Sequence, residues 1–162
     1  MDIYNFLSEN KIEYQRFDHP PVYTVDDVHR LTPDLPGTKT KNLFLRDKKG
    51  ARHFLVVMPA DKRIDLKALP EVLDSSKLSF GSPGRLMRHL GVEPGAVSLL
   101  AILNDQELAV DLFIDADLWS SDTFQFHPMI NTRTLVLPKQ GVENFLAALG
   151  HDFQIVKIPT PK

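Results

Sequence analysis

Apolar positions along this chain recur at two periods, and the alternation between them lays out its elements. Ile3, Phe6 and Leu7 stand at helical spacing behind Asp2, a side chain able to cap them, which predicts a short amphipathic helix over residues 2–10. Tyr14 to Phe17 alternates like a strand. His19-Pro20-Pro21 breaks the pattern, because each proline lacks an N–H and holds its predecessor extended. Thr24 then caps a helix from Val25 to about Leu31, stopped by Thr32-Pro33 and Leu35-Pro36-Gly37.

Asn42–Arg46 and His53–Met58 are apolar runs on either side of Asp47-Lys48-Lys49-Gly50, the pattern of a hairpin, and this sets Lys41 at a strand's start. Asp65–Leu73 reads as a helix interrupted at Pro70, and Leu78–Phe80 as a brief extended piece. Ser82-Pro83 predicts a helix start, with Leu86, Met87 and Leu90 as its apolar face and Gly91 as its end. Val97–Leu103 and Leu108–Ile114 are expected to be strands around an Asn104-Asp105 turn, with Thr123–Phe126 and Thr134–Leu137 two more. Gln140–Leu149 is a last helix closed by Gly150, and Phe153–Ile158 a last strand. Strands and helices mix without regular alternation. The expectation is an α/β (α+β) fold, a single compact domain over residues 1–158 in which helices surround a mixed, mostly antiparallel sheet, with 159–162 a frayed tail.

A length of 162 residues with 43% hydrophobic content fits one domain with a continuous core. The absence of cysteine excludes disulfides, thiolate zinc sites and a cysteine nucleophile, and agrees with a cytoplasmic protein. No basic segment followed by an apolar run opens the chain, and no stretch approaches the ~20 apolar residues of a membrane span, so a soluble, unprocessed protein with no membrane partner is expected. A net charge of −2 speaks against an indiscriminate polyanion binder and against a DNA partner, and makes any nucleic-acid contact local. Lys39, Lys41, Arg46, Lys48, Lys49 and Arg52 do cluster, opposed by Asp47. A solvated basic hairpin turn accounts for them as simply as a binding surface does.

Several motifs can be tested. Gly37-Thr38-Lys39-Thr40 lacks the glycines of a phosphate-binding loop, and Gly81-Ser82-Pro83-Gly84 lacks the spacing of a nucleophile elbow, whose following N–H a proline would remove. The histidines at 19, 29, 53, 89, 127 and 151 form neither an i,i+4 pair nor a His-x-Glu signature, so no metal and no cofactor is expected. Lys41 could project its ammonium into a pocket at the sheet's end or stand solvated at a strand terminus. His127, between a strand and Pro128, has a restricted backbone that suits site geometry and a structural histidine alike.

Six ordered blocks carry a resemblance: His19-Pro20-Pro21-Val22-Tyr23-Thr24, Thr40-Lys41-Asn42-Leu43-Phe44-Leu45-Arg46-Asp47, Lys77-Leu78-Ser79-Phe80, Leu90-Gly91-Val92-Glu93-Pro94-Gly95, Asn104-Asp105 and Phe126-His127-Pro128. In this order they resemble the YbaK/prolyl-tRNA synthetase-associated editing-domain family, and within it the stand-alone ProX-type deacylases. The resemblance implies hydrolysis of the ester between an amino acid and the terminal adenosine of tRNA(Pro), correcting prolyl-tRNA synthetase, which charges alanine or cysteine as well as proline. It assigns the functional lysine to Lys41 in its Thr40-Lys41-Asn42 block, the adjacent asparagine to Asn42 and the histidine to His127. The family's Gly-x-x-x-Pro loop corresponds to Gly95 through Leu99, with leucine in the place of proline.

The mechanism that the resemblance implies is attack by water, Lys41 supplying electrostatic stabilisation and His127 orienting the substrate, with a ribose hydroxyl of the substrate assisting. Leu99 and Phe80 are expected pocket walls that exclude proline by size. The partner is the acceptor end of tRNA(Pro), contacted by Lys41 and by Lys39, Lys77 and Arg85, with prolyl-tRNA synthetase a further partner. The rival expectations are a deacylase for cysteine or another small amino acid, and a non-catalytic module binding tRNA or the synthetase.

Overall fold

The computed structural model describes residues 2–32 and 34–162. In chain order its elements are α1 (Ile3–Glu9), β1 (Gln15–Asp18), α2 (Val25–Leu31), β2 (Thr40–Arg46), β3 (His53–Pro59), α3 (Leu69–Leu73), β4 (Ser79–Phe80) and α4 (Pro83–Leu90). There follow two 3₁₀ segments, Pro94–Ala96 and Leu99–Asn104, and then β5 (Val110–Asp115), α5 (Ala116–Trp119), β6 (Thr123–Phe126), β7 (Arg133–Pro138), α6 (Lys139–Leu149) and β8 (Phe153–Val156).

Local signals set most of these boundaries. Asp2 accepts from the Tyr4 amide, Thr24 from Asp27 and Ser82 from Arg85, so three helices begin on side chains that satisfy otherwise orphaned N–H groups. Gly91 and Gly150 close α4 and α6 in the left-handed conformation that a side chain disfavours.

The strands form two sheets instead of one. A three-stranded antiparallel sheet has the order β1-β7-β6, and a five-stranded mixed sheet the order β4-β2-β3-β5-β8. The β2–β3 hairpin pairs in the expected register, with Lys41 opposite Met58 and Arg46 opposite His53. Four of the six strand pairings are antiparallel, while β5 joins β3 and β8 joins β5 in parallel. The domain is α+β and mixed, as expected.

The five-stranded sheet is covered on both faces. Leu55, Val57, Leu112 and Ile114 pack toward the smaller sheet, α1, α6 and the second 3₁₀ segment; Phe54, Val56, Met58 and Phe113 pack against Leu69 and Leu73 of α3 and against Ile158. Alternate residues of β3 therefore enter different cores, which is why its run reads as continuously apolar.

Five elements depart from the sequence reading. Leu99–Asn104 is a 3₁₀ helix where a strand was expected; Ser98 caps it by accepting from the Leu100 amide, and Leu99 to Leu103 are all buried, so the run is apolar on every side and carries no period. Asp65–Leu73 contributes only α3, and Pro70 stands in its first turn, where no N–H is needed, so it starts the helix instead of interrupting it. Met87 is half exposed, leaving Leu86 and Leu90 as the buried face of α4. The last strand ends at Val156, and α5 has no counterpart in the periodic pattern.

Candidate functional site

The two sheets meet at one isolated parallel bridge, Thr38 to Phe124. The Thr38 amide donates to the Thr123 carbonyl at 2.9 Å and the Gln125 amide to the Thr38 carbonyl at 3.0 Å. Thr40 strengthens this seam, its hydroxyl donating to the Gln125 carbonyl at 2.6 Å. Lys41 and His127 each stand three residues beyond the bridge, on segments that run the same way. Side chains alternate along extended chain, so both lie on the face opposite Thr38 and Phe124, the face shared by Lys39 and Gln125.

That face is roofed by the residues before β2. Gln125, 5% exposed, donates its side-chain amide to the carbonyls of Leu35, Pro36 and Gly37 at 3.1, 3.0 and 3.1 Å. Gly37 has φ 87°, and a Cβ there would lie 3.2 Å from a Val136 methyl, so both its conformation and its closeness to β7 call for glycine. Lys39 donates to Nδ1 of His29 on α2 at 3.2 Å. With Nδ1 accepting, the His29 Nε2–H donates to the carboxylate of Asp61, just past the end of β3.

Lys41 is half-buried at the start of β2. Burial pushes its ammonium below the ordinary lysine value, and the charge of Asp61 partly offsets this. His127 donates its Nδ1–H to the Arg133 carbonyl at 3.1 Å, which leaves Nε2 as an acceptor. Burial lowers the pKa of His127, the bond to Arg133 opposes that, and His19, with ring centroids 6.1 Å apart, lowers it further. The ring is therefore neutral near pH 7. His19 is itself fixed, donating Nδ1–H to the Pro20 carbonyl and accepting the buried Thr134 hydroxyl on Nε2, each at 2.8 Å. The site thus offers a cation and a neutral imidazole acceptor on one face, a pairing suited to a substrate that develops negative charge on one oxygen while a nearby hydroxyl needs an acceptor.

The remaining expected residues are distributed elsewhere. Asn42 points away from Lys41, its Oδ1 accepting the Leu99 amide at 3.0 Å, and the Leu99 side chain is packed in the interior at 1% exposure, so it walls no open pocket. Gly95 lies in a separate concavity of about 420 Å³ with Tyr23, Met129 and Asn131. Phe80 is exposed on the edge strand β4, opposite Leu45. Lys77 and Arg85 stand at the far end of β2, and the Arg85 guanidinium is engaged by the Gly50 carbonyl and His53 Nε2, each at 2.9 Å. No three His, Cys, Asp or Glu side chains converge into a metal-ligand group among the described residues. Sequence reasoning assigned no role to His29, Asp61 or Gln125. These are ordinary surface types, and only the fold brings them to the seam.

The aminoacyl-tRNA editing domain matches residues 19–145 of this chain. The chain belongs to the aminoacyl-tRNA editing domain family. The family match contains both Lys41 and His127, together with the bridge that aligns them. Among editing-domain relatives, the chain is 38% identical over 152 residues, 94% of its own length and 93% of the relative's, to the "Prolyl-tRNA editing protein ProX" of Acetoanaerobium sticklandii. It is 32% identical to the "Prolyl-tRNA synthetase associated domain-containing protein 1" of Danio rerio, over 93% of this chain and 82% of that one. The editing-domain fold also superposes on the crystal structure titled "hypothetical protein APE2540" with a TM-score of 0.73 at 17% identity, covering 96% of this chain and 99% of that one. The family anticipated from six sequence blocks is the family found.

Proposed function

We propose that this chain is a trans-editing deacylase that hydrolyses alanine mistakenly attached to tRNA(Pro), by attack of water on the aminoacyl ester. The observation that carries this reading is the placement of Lys41 and His127 at equal steps beyond one bridge, on one face, in a chain of the editing-domain family. Family membership supports aminoacyl-tRNA as the substrate class, and the relative named as a prolyl-tRNA editing protein supports tRNA(Pro).

An aminoacyl ester is already activated, so the site need only hold water against the carbonyl and stabilise the oxyanion that forms. Lys41 supplies that charge. A neutral His127, its Nδ1–H held by Arg133, accepts a hydrogen bond from a ribose hydroxyl or the attacking water through Nε2. Lys39 lies on the same face, with His29 and Asp61 holding it, and contributes to the potential that receives the acceptor end. Alanine is admitted and proline excluded by size, because a synthetase pocket that accepts proline cannot strongly reject a smaller residue, whereas a second, smaller pocket can select it. The reaction belongs to the cytoplasm, where charged tRNA meets prolyl-tRNA synthetase.

Single-turnover deacylation of alanyl-, cysteinyl- and prolyl-tRNA(Pro), with wild type and Lys41→Ala compared, tests the reading. Loss of alanine alone, abolished by the substitution, supports it. Preferential loss of cysteine reassigns the substrate, and no hydrolysis of any substrate overturns the catalytic reading in favour of a binding module.

A further inference from the structure

We infer that the β2–β3 turn is a landing surface for the phosphate backbone of the substrate's base-paired stem, with Lys48 and Lys49 as its contacting cations; the inference rests on the deacylase reading above.

The chain carries a net charge of −2, yet Arg46, Lys48, Lys49, Arg52, Lys77 and Arg85 surround this turn against the carboxylates of Asp47, Asp74 and Asp111. Asp47 is occupied inside the turn, accepting the Ala51 and Arg52 amides at 2.9 and 3.1 Å, and Asp111 lies 3.5 Å from Arg52. The arginines are occupied too. Arg46 donates to the carbonyls of Asp47 and Lys48, Arg52 to the carbonyl of Asp74, and Arg85 to that of Gly50. Two guanidinium groups, those of Arg46 and Arg85, thus brace the backbone of this short turn, while that of Arg52 ties the turn's far side to the end of α3. Lys48 and Lys49 stand exposed on that braced turn, and among the described residues no carboxylate forms an ion pair with either. They flank a concavity of about 360 Å³ shared with Arg52 and Ser76.

Position selects the ligand. Arg46 is five residues along β2 from Lys41, about 17 Å at the rise of a strand. That distance corresponds to about five stacked nucleotides at roughly 3.4 Å each. An ester held at Lys41 therefore places the unpaired 3′ end along the β2–β4 edge, past the exposed ring of Phe80, and brings the first paired phosphates to the turn. A braced, sequence-blind pair of ammonium groups suits phosphates, which position a nucleic acid without reading its bases.

The test compares wild type with the double variant Lys48→Ala/Lys49→Ala on two substrates, alanyl-tRNA(Pro) and the minimal ester 2′(3′)-O-alanyl-adenosine, across a salt series. Both residues are exposed in a turn, and an unchanged melting temperature checks the fold. The expected result is a roughly tenfold drop in kcat/KM for the tRNA relative to the minimal ester at about 0.1 M salt, with the log–log salt dependence shallower by about 2, close to one for each phosphate contact removed. Charge reversal at the same positions, Lys48→Glu/Lys49→Glu, should deepen the drop. An unchanged tRNA-to-ester ratio and salt slope, with wild type active, overturns the landing surface while leaving the deacylase standing. Wild type inactive on both substrates removes the deacylase reading and the inference with it.

Discussion

His127 donates its Nδ1–H to the Arg133 carbonyl 3.1 Å away, so this half-buried imidazole has one tautomer and one acceptor nitrogen. Because burial holds its pKa below the usual 6.5, the acceptor form prevails through neutrality and is lost only on acidification. On the acid side, a pH–rate profile for deacylation should therefore be level near about 6.5 to 7 and fall below that, toward a midpoint lower than an unperturbed histidine. His127→Ala should lower kcat on the order of 10²-fold and remove that acid limb. A limb that persists in the variant belongs to another group.

Lys41 should behave in the opposite sense. Its charged form is the useful one, so activity should decline as pH rises through a value below the ordinary 10.5. Lys41→Ala should cost about 10² to 10³ in kcat, the scale of removing one preorganised stabiliser of an oxyanion. Single-turnover rates at saturating substrate report this directly.

Asp61→Asn tests the link between those two strands' ends. Asp61 raises the pKa of Lys41 through its charge, so neutralising it should move the alkaline limb to lower pH while leaving the acid limb of His127 in place. A profile that does not move would disconnect Asp61 from Lys41.

Asn42 is expected to act on stability. Its Oδ1 accepts the Leu99 amide at the head of the 3₁₀ helix, so Asn42→Ala leaves a part-buried donor unpaired and should cost about 1 to 3 kcal/mol in urea unfolding. Lost activity with unchanged stability would instead assign this asparagine to the substrate.

The buried pair Asp105–His151 gives the fold its own pH signature. Burial opposes both charges, yet the bond between them at 3.0 Å and the Val110 and Ala109 amides on Asp105 outweigh it, so His151 is raised and Asp105 lowered. His151 therefore contributes fully below 6.5, and its share is lost as pH rises through the higher folded value. Asp105 contributes above 3.8, and its share is lost as pH falls through the lower folded value. Asp105→Ala should cost about 3 kcal/mol near pH 5.5 and flatten the decline in stability toward pH 8. Urea midpoints at the two pH values check it.

Much of this was legible in the sequence because local chemistry decides it. Ser82-Pro83 and Gly91 bound α4 through caps that any reader of the chain can find, and Asp47-Lys48-Lys49-Gly50 announces its hairpin. Leu99–Leu103 was not legible, since a wholly buried run has no polar face to reveal its period. The parallel pairing of β3 with β5, and of β5 with β8, depends on contacts between distant segments. At the candidate site, Lys41 and His127 were each singled out by their blocks as candidates, but their common face follows from a bridge between remote residues. Asp61 and His29 gave no signal for the same reason, nor did the engagement of Arg85 with Gly50 and His53, which is tertiary.

The Thr38–Phe124 bridge also fixes when the site comes into being. The β2–β3 hairpin closes locally, within microseconds, and orients Lys41 early. Lys41 and His127 come into line only when the chain between Thr38 and Phe124 has been drawn into a loop, and loop closure of that length belongs to the slow, non-local part of folding. During synthesis the residues of this hairpin emerge while most of the chain is still to be made, and a chain ending before residue 127 has Lys41 but lacks the second of the two side chains that the bridge aligns.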